Sequence, residues 1–393
     1  MRNFTLLVLA TLLGVPSALP AQAPPDALDA AWVAVCAGAQ PGSAFFQRCQ
    51  EILDAGPGSA DRRSEAALGN NLGQLPAQTG NASERRAGGS AEEAVYRATD
   101  GRLGWFLFAG SGDTERRAGP LDAGFDGDLR RFGLGLDYRL GDHLVLGALL
   151  SRLDADRRFP GGGGRADSRV RAVTAFLDWH SGGRLGGQAY AGYGDIDLVL
   201  ERRVRYSLLL NAGTPEQSTV QIDALASARP GGRQSMLGGA LSWDFSDGAF
   251  GRGLRLGSDW SRTRIGAFSE SGGAGLALTR SRSARTSHTV SLGLDASWTA
   301  STASGVIVPY LRLDWIHELE DDDCDVAVSF AGDAAQTPIR FQRERGERSF
   351  GEAALGVSAV LPGGLSGFLE YERMFANRQL DHHMFTLGLR IER

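Results

Sequence analysis

From about residue 101 to residue 393 the chain is written in period two, and this alternation limits the folds open to it more than any other feature. Phe132, Leu134, Leu136, Tyr138 and Leu140 oppose Arg131, Gly133, Gly135, Asp137 and Arg139. Leu237, Gly239, Leu241, Trp243 and Phe245 oppose Gly238, Ala240, Ser242 and Asp244, and Val290, Leu292, Leu294, Ala296 and Trp298 oppose Ser291, Gly293, Asp295 and Ser297. Ile307, Leu311, Leu313 and Trp315 alternate in the same way with Tyr310, Arg312, Asp314 and Glu318. Twelve such stretches can be counted, the last running through Met384, Phe385, Thr386, Leu387, Gly388, Leu389, Arg390 and Ile391 to Glu392 and Arg393. Successive side chains of a strand point to opposite faces, so each stretch has one apolar face and one of charge and glycine. A soluble barrel packs its bulky apolar side chains inside. Charge and glycine on the inner face instead predict an all-β transmembrane antiparallel barrel, with lipid outside and water inside.

The connections agree. Gly141-Asp142-His143, Ser181-Gly182-Gly183, Ser246-Asp247-Gly248, residues 299–304 and Pro362-Gly363-Gly364 are short turns. They alternate with longer polar segments at 113–124, 155–166, 206–233, 267–285 and 320–347, read here as surface loops. Short turns at one rim and long loops at the other are the outer-membrane arrangement, whereas a β-sandwich does not require that strict switching. Tyr138, Trp179, Trp243 and Trp298 fall near the short-turn ends, where an aromatic girdle belongs. Beyond the N-terminus no apolar run of 18 residues occurs, which argues against a helical membrane protein. Arginine is the only strong base, since the chain has no lysine, and a net charge of −5 gives no basic face for nucleic acid.

Residues 1–21 have the form of a secretory signal peptide: Arg2, an apolar core over 4–15, and a small-residue cleavage region at Leu19-Pro20-Ala21. Residues 22–100 predict a short helical passenger or linker. Leu28, Trp32, Val35 and Cys36 recur at helical spacing, as do Phe45, Phe46, Cys49, Ile52 and Leu53, and Ser43 is placed to cap the second helix. In an exported chain Cys36 and Cys49 are expected to form a disulfide pinning this hairpin, which leaves Cys324 unpaired. Beyond residue 55 the chain becomes a Gly, Ala, Ser and Arg mixture with a weakly helical stretch near 62–75, which reads as a linker or pore-threading segment.

The chemical motifs are weak. Gly110-Ser111-Gly112-Asp113 is read at the end of the first strand, and no Gly-x-Ser-x-Gly elbow or histidine occurs in the N-terminal region. His143, His180, His288, His317, His382 and His383 are scattered over turns and strands without triad spacing, and read as rim or lumen residues. Pro160 and the four glycines after it lack the Lys-Ser/Thr of a phosphate loop. Glu318, Glu320, Asp321, Asp322, Asp323 and Asp325 lack the ligand alternation and turn glycine of a calcium loop. Asn70, Asn71 and Asn81 are the candidates for self-cleavage, and nothing marks them as special. No catalytic residue, metal site or cofactor is expected.

The chain from about residue 103 also resembles the translocator domain of bacterial autotransporters. The resemblance rests on Ile265-Gly266-Ala267-Phe268-Ser269-Glu270-Ser271-Gly272, on Gly275-Leu276-Ala277-Leu278, and on Val308-Pro309-Tyr310-Leu311-Arg312-Leu313-Asp314-Trp315. It includes Ser291-Leu292-Gly293 and the run on from Trp315 through Ile316-His317-Glu318-Leu319, and continues in Gly356-Val357-Ser358, in Gly367-Phe368-Leu369-Glu370-Tyr371-Glu372 and in Gly388-Leu389-Arg390. The resemblance implies a monomeric outer-membrane barrel of about 12 strands with a helix in its lumen. It also implies delivery by periplasmic chaperones, insertion by the barrel-assembly machinery, and carriage of an N-terminal passenger to the cell surface. Two features depart from the family: Arg393 stands where an aromatic residue is usual, and the segment before the barrel is short. The expected function is therefore to anchor or translocate that segment. The alternatives are a plugged pore or structural envelope protein, and an adhesin whose loops bind a surface ligand.

Overall fold

The computed structural model describes residues 36–54, 102–118, 124–141, 143–181, 184–210, 215–321, 326–341 and 346–392. The signal peptide, residues 22–35, the 62–75 stretch, the three asparagines, Cys324 and Arg393 lie outside the described residues. Twelve long antiparallel strands form the wall. They are β1 (Leu103–Arg116), β2 (Phe125–Leu140), β3 (Leu144–Phe159), β4 (Gly164–His180), β5 (Leu185–Leu210) and β6 (Gly231–Asp244). They continue as β7 (Phe250–Ile265), β8 (Ser283–Trp298), β9 (Gly305–Asp321), β10 (Ser349–Leu361), β11 (Leu365–Phe375) and β12 (Leu380–Glu392). Each pairs with its sequence neighbours, and β1 pairs with β12 from Gly104 opposite Glu392 to Arg116 opposite Leu380. The sheet therefore closes into a barrel with no free edge, the condition for strands to sit in lipid.

The direction of the alternation matches the sequence expectation. On β2 Phe132, Leu134, Leu136, Tyr138 and Leu140 are exposed, while Arg131 and Asp137 are buried inside. Leu241 is 63% and Leu292 51% exposed, which only a lipid-facing wall makes favourable. Trp105, Tyr138, Trp179, Trp243 and Trp298 ring the short-turn end of this apolar band. Tyr193, Trp315 and Phe385 stand toward the other end.

Two expectations need correction. The inner face is not uniformly polar: Phe106, Phe108, Leu149 and Phe176 form an apolar cluster inside the barrel, because β1 is apolar on both faces. The glycines of the neighbouring strands make room for these rings. A Cβ on Gly133 would meet Phe108 at 2.3 Å, and one on Gly135 would meet Phe106 at 2.1 Å. The second correction concerns the long loops, which carry structure of their own. The turn after β3 is tight, at Pro160–Gly162, and Gly110-Ser111-Gly112-Asp113 lies within β1, which runs on to Arg116. The lower part of β5 pairs with β6, from Leu185 opposite Trp243 to Asp197 opposite Gly231. Its upper part leaves the barrel and forms a hairpin with the strand Ser218–Ala228. The segments Phe268–Ser269, Leu278–Arg280, Val326–Phe330 and Ile339–Phe341 form a separate four-stranded sheet at the long-loop rim.

Candidate functional site: the charged lumen and the capped mouth

Inside the barrel, β2, β7, β9, β11 and β12 bring arginines against carboxylates. Arg312 is buried between Asp314 (3.3 Å), Glu370 (3.5 Å) and Glu372 (3.6 Å). Arg255 donates to the same Asp314 at 2.8 Å, and the Tyr310 hydroxyl donates to Glu370 at 3.1 Å. Across the closing seam, Arg390 of β12 contacts Asp137 of β2 at 2.6 Å and Glu392 at 2.8 Å. Arg131 donates to Thr386 and lies over the Phe108 ring at 5.7 Å, joining the charged and aromatic parts of the lumen. Such pairs contribute little net stability, but removing one partner strands a buried charge. Beyond the membrane band several pairs are solvent-exposed. A hydrogen bond from Arg203 to Asp223 on the protruding hairpin (2.6 Å) raises the pKa of that guanidinium above its usual value.

At the long-loop rim the construction is that of a small soluble protein. Helix α1 (Ala44–Asp54) starts at Ser43, whose Oγ accepts from the Phe46 amide at 3.0 Å, an N-cap as expected. Phe45 stacks on Phe330 at a centroid distance of 4.8 Å. Around that pair Cys36, Ala39, Cys49, Val204, Leu276, Leu278 and Val328 are buried together. Ala39 bridges to Asp333, whose fully buried carboxylate accepts from the amides of Ala335 (2.9 Å) and Thr337 (2.7 Å). Close approach of α1 depends on Gly275, which has φ +91° and whose absent Cβ would lie 2.7 Å from the Ala44 carbonyl carbon. Cys36 and Cys49 are joined across the bend before α1, with their Cα atoms 5.4 Å apart. The platform below is fixed by a buried clamp. Arg202 at the top of the barrel section of β5 donates to Glu270 at 3.1 Å and to the Leu276 carbonyl at 2.6 Å, and Glu270 also accepts from the Leu278 amide at 2.9 Å. Sequence reasoning missed Arg202 and Asp333. Glu270 and Leu276–Leu278 stood inside the ordered motifs without an assigned role.

The histidines do not converge. His143 and His180 meet at the short-turn rim, their rings 5.4 Å apart, while His288 contacts Ser258 and His317 contacts Ser349. His382 lies 3.9 Å from Glu372 in the lumen, and the outward-facing His383 is 3.1 Å from Asp113. Among the described residues no cluster of three or more His, Cys, Asp or Glu could hold a metal ion. Most of the acidic stretch after Glu320 lies outside the described residues.

The sequence model of the family "Autotransporter beta-domain" matches residues 105–372. The chain belongs to that family. It is an outer-membrane β-barrel of the translocator type, so its apolar band faces outer-membrane lipid. No curated protein matches it in sequence. Among solved structures, the translocator domain of the autotransporter NalP from Neisseria meningitidis is similar in fold. Its TM-score is 0.60 at 14% identity, over 80% of this chain and 97% of that one. The β-domain of the Bordetella autotransporter BrkA is similar with a TM-score of 0.52 at 18% identity, over 74% of this chain and all (100%) of that one. The family match stops before β12. In the structure β12 nonetheless pairs with β1 along thirteen residues, so the closing seam is complete.

Proposed function

We propose that this barrel carries its own N-terminal segment to the cell surface and holds residues 36–54 there as a cap on its long loops. The packing of Phe45 on Phe330, from the N-terminal helix to a loop beyond β9, carries this reading. Chain connectivity supports it further. Helix α1 belongs to the long-loop rim, whereas β1 starts at the short-turn rim, where Leu103 pairs with Tyr138. Helix α1 and the start of β1 thus stand at opposite rims, which is the placement expected of a chain carried through its own barrel. On this reading residues 1–21 direct export, 22–100 are the carried segment and 101–393 the barrel, with Cys36–Cys49 oxidised after export. Chaperones and the assembly machinery deliver a monomer that has no catalytic site, metal or cofactor and binds no nucleic acid.

The test uses the full-length protein in intact cells. A protease site inserted after Gly42, in the exposed turn before α1, should be cut from outside, with the barrel still shifting mobility on boiling. Protection of that site in intact cells, with cleavage only after permeabilisation, would reverse the orientation and defeat display. A plugged pore draws on the same packing, because the cap covers the mouth. It differs in requiring that reduction of Cys36–Cys49 open a conductance in planar bilayers, and on the display reading conductance stays unchanged.

A further inference from the structure

Just beyond the apolar band, on the long-loop side, the outer wall changes character within one outward position. On β3, β4 and β5 the lipid-facing residues Leu150, Val173 and Tyr193 give way to Arg152, Arg171 and Asp195, and on β6 and β7 Arg233 and Arg264 continue the line. These five are cross-strand neighbours in one unbroken row: Arg152 opposite Arg171, Arg171 opposite Asp195, Asp195 opposite Arg233, and Arg233 opposite Arg264. Arg262 lies one outward position nearer the band on β7, beside Ser235. All these side chains are exposed.

Two features make the row more than a solvated charged surface. First, Arg152–Arg171 and Arg233–Arg264 are like charges placed directly opposite each other, which destabilises a sheet unless an anion lies between them. Second, the carboxylates nearby are too few to neutralise it, and only Asp154 makes a close pair. Asp195 is 4.0 Å from Arg233, Asp197 is 3.4 Å from Arg171, and Asp154 holds Arg152 at 2.7 Å. Arg262 and Arg264 have no carboxylate within ion-pair distance among the described residues. The opposite flank of the wall differs. On β1, β2 and β12 the outward residues above the band are mostly acidic, Asp113, Glu115, Asp126, Asp128 and Asp381, beside Arg130 and His383, and Arg158 and Arg373 of the neighbouring strands pair with Asp128 and Asp381. The positive row is therefore a local patch and not a property of the whole circumference.

We propose that this row binds the phosphates of a bis-phosphorylated glycolipid in the outer leaflet. Its acyl chains would lie along Leu150, Val173, Tyr193 and Leu237, and its phosphates would bridge the paired arginines. Guanidinium groups recognise phosphate through two parallel hydrogen bonds, and in this position they meet the headgroup layer without leaving the wall. The inference rests on the outer-membrane setting of the barrel and not on the display of residues 36–54.

The experiment uses full-length protein folded in detergent, with bis-phosphorylated lipid A as the probe. Dephosphorylated lipid A, phosphatidylglycerol and inorganic phosphate serve as comparisons, and native mass spectrometry reads occupancy. Binding of lipid A should weaken at least ~10-fold in the variant R171Q/R233Q/R262Q/R264Q, given several arginines each adding to headgroup attraction. The control R158Q/R373Q, on the acidic flank, should bind as the parent does. Heat-dependent mobility checks folding, and if the fourfold variant does not fold, R233Q/R264Q alone should still weaken binding measurably. Equal affinity in parent and variant overturns the proposal, as does an equal loss in the control. Equal binding of dephosphorylated lipid A or of phosphatidylglycerol also overturns it, and so does full competition by millimolar inorganic phosphate, which would mark a free-anion site. If the cap is found inside the cell while lipid A binding still depends on these arginines, the display reading fails and this one stands.

Discussion

In the wall of the barrel the exposed side chains are apolar and many of the buried ones are charged; in the cap the order is reversed, with Phe45, Cys49, Leu278, Val328 and Phe330 inside. The two regions touch through β5, whose lower part is wall and whose upper part supports the cap. Each is organised by the solvent on its outer side. Lipid accepts Leu292 and Trp298 on the surface and drives Arg312 and Arg390 inward to partners, whereas water at the long-loop rim drives Phe45 and Phe330 together. Cap and wall are therefore separately stabilised, and a change in one should be readable without loss of the other.

The largest effect is expected in the wall. Arg312→Ala leaves Asp314, Glu370 and Glu372 buried without their shared cation and should lower barrel stability by roughly 3–5 kcal/mol. Urea titration followed by heat-dependent mobility measures this, and protease protection of α1 should persist while the barrel remains folded. Loss of the cap in step with the wall would mean that the two are not separately stabilised. Next comes Phe45→Ala, which removes the ring from the centre of the cap and should cost about 3 kcal/mol of docking energy. Its readout is proteolysis of residues 36–54 in folded protein, with the barrel's unfolding midpoint unmoved. A lowered midpoint would tie the cap to wall stability. The smallest effect belongs to Ser43→Ala, which leaves the Phe46 amide uncapped and should cost about 1 kcal/mol. Hydrogen exchange at the first turn of α1 should quicken while exchange on β11 and β12 does not change.

Much of the wall could be read directly from residue order. The partition of Phe132, Leu134 and Leu136 from Arg131, Gly133 and Gly135 stated both the strand and which face met lipid, since period two follows from local backbone geometry alone. The aromatic filling of the lumen was less visible, because Trp105, Phe106, Leu107 and Phe108 are apolar on both faces and the alternation loses its contrast there. A signal existed in Gly133-x-Gly135 on the next strand, whose missing side chains form the slots for Phe108 and Phe106. The loop sheet was hidden for a different reason. Its strands are two to five residues long, too short for a periodic pattern to stand out from polar loop sequence. The Arg202–Glu270 clamp joins residues 68 apart in sequence, and no local spacing announces such a pair.

Residue order by itself thus determined a lipid-facing barrel with short turns at one rim and a cysteine-pinned helix ahead of it, because alternation, turn chemistry and helix capping act over a few residues. Only the tertiary structure decided that β12 closes on β1 along thirteen pairs and that the helix docks on loops hundreds of residues further along the chain. It also decided that arginines from four strands line up with one aspartate from a fifth as a single row across β3 to β7. Those outcomes depend on strand register and on contacts between distant segments. Register is settled when the sheet closes, and distant contacts form only where burying the joined surfaces outweighs the entropy of bringing them together.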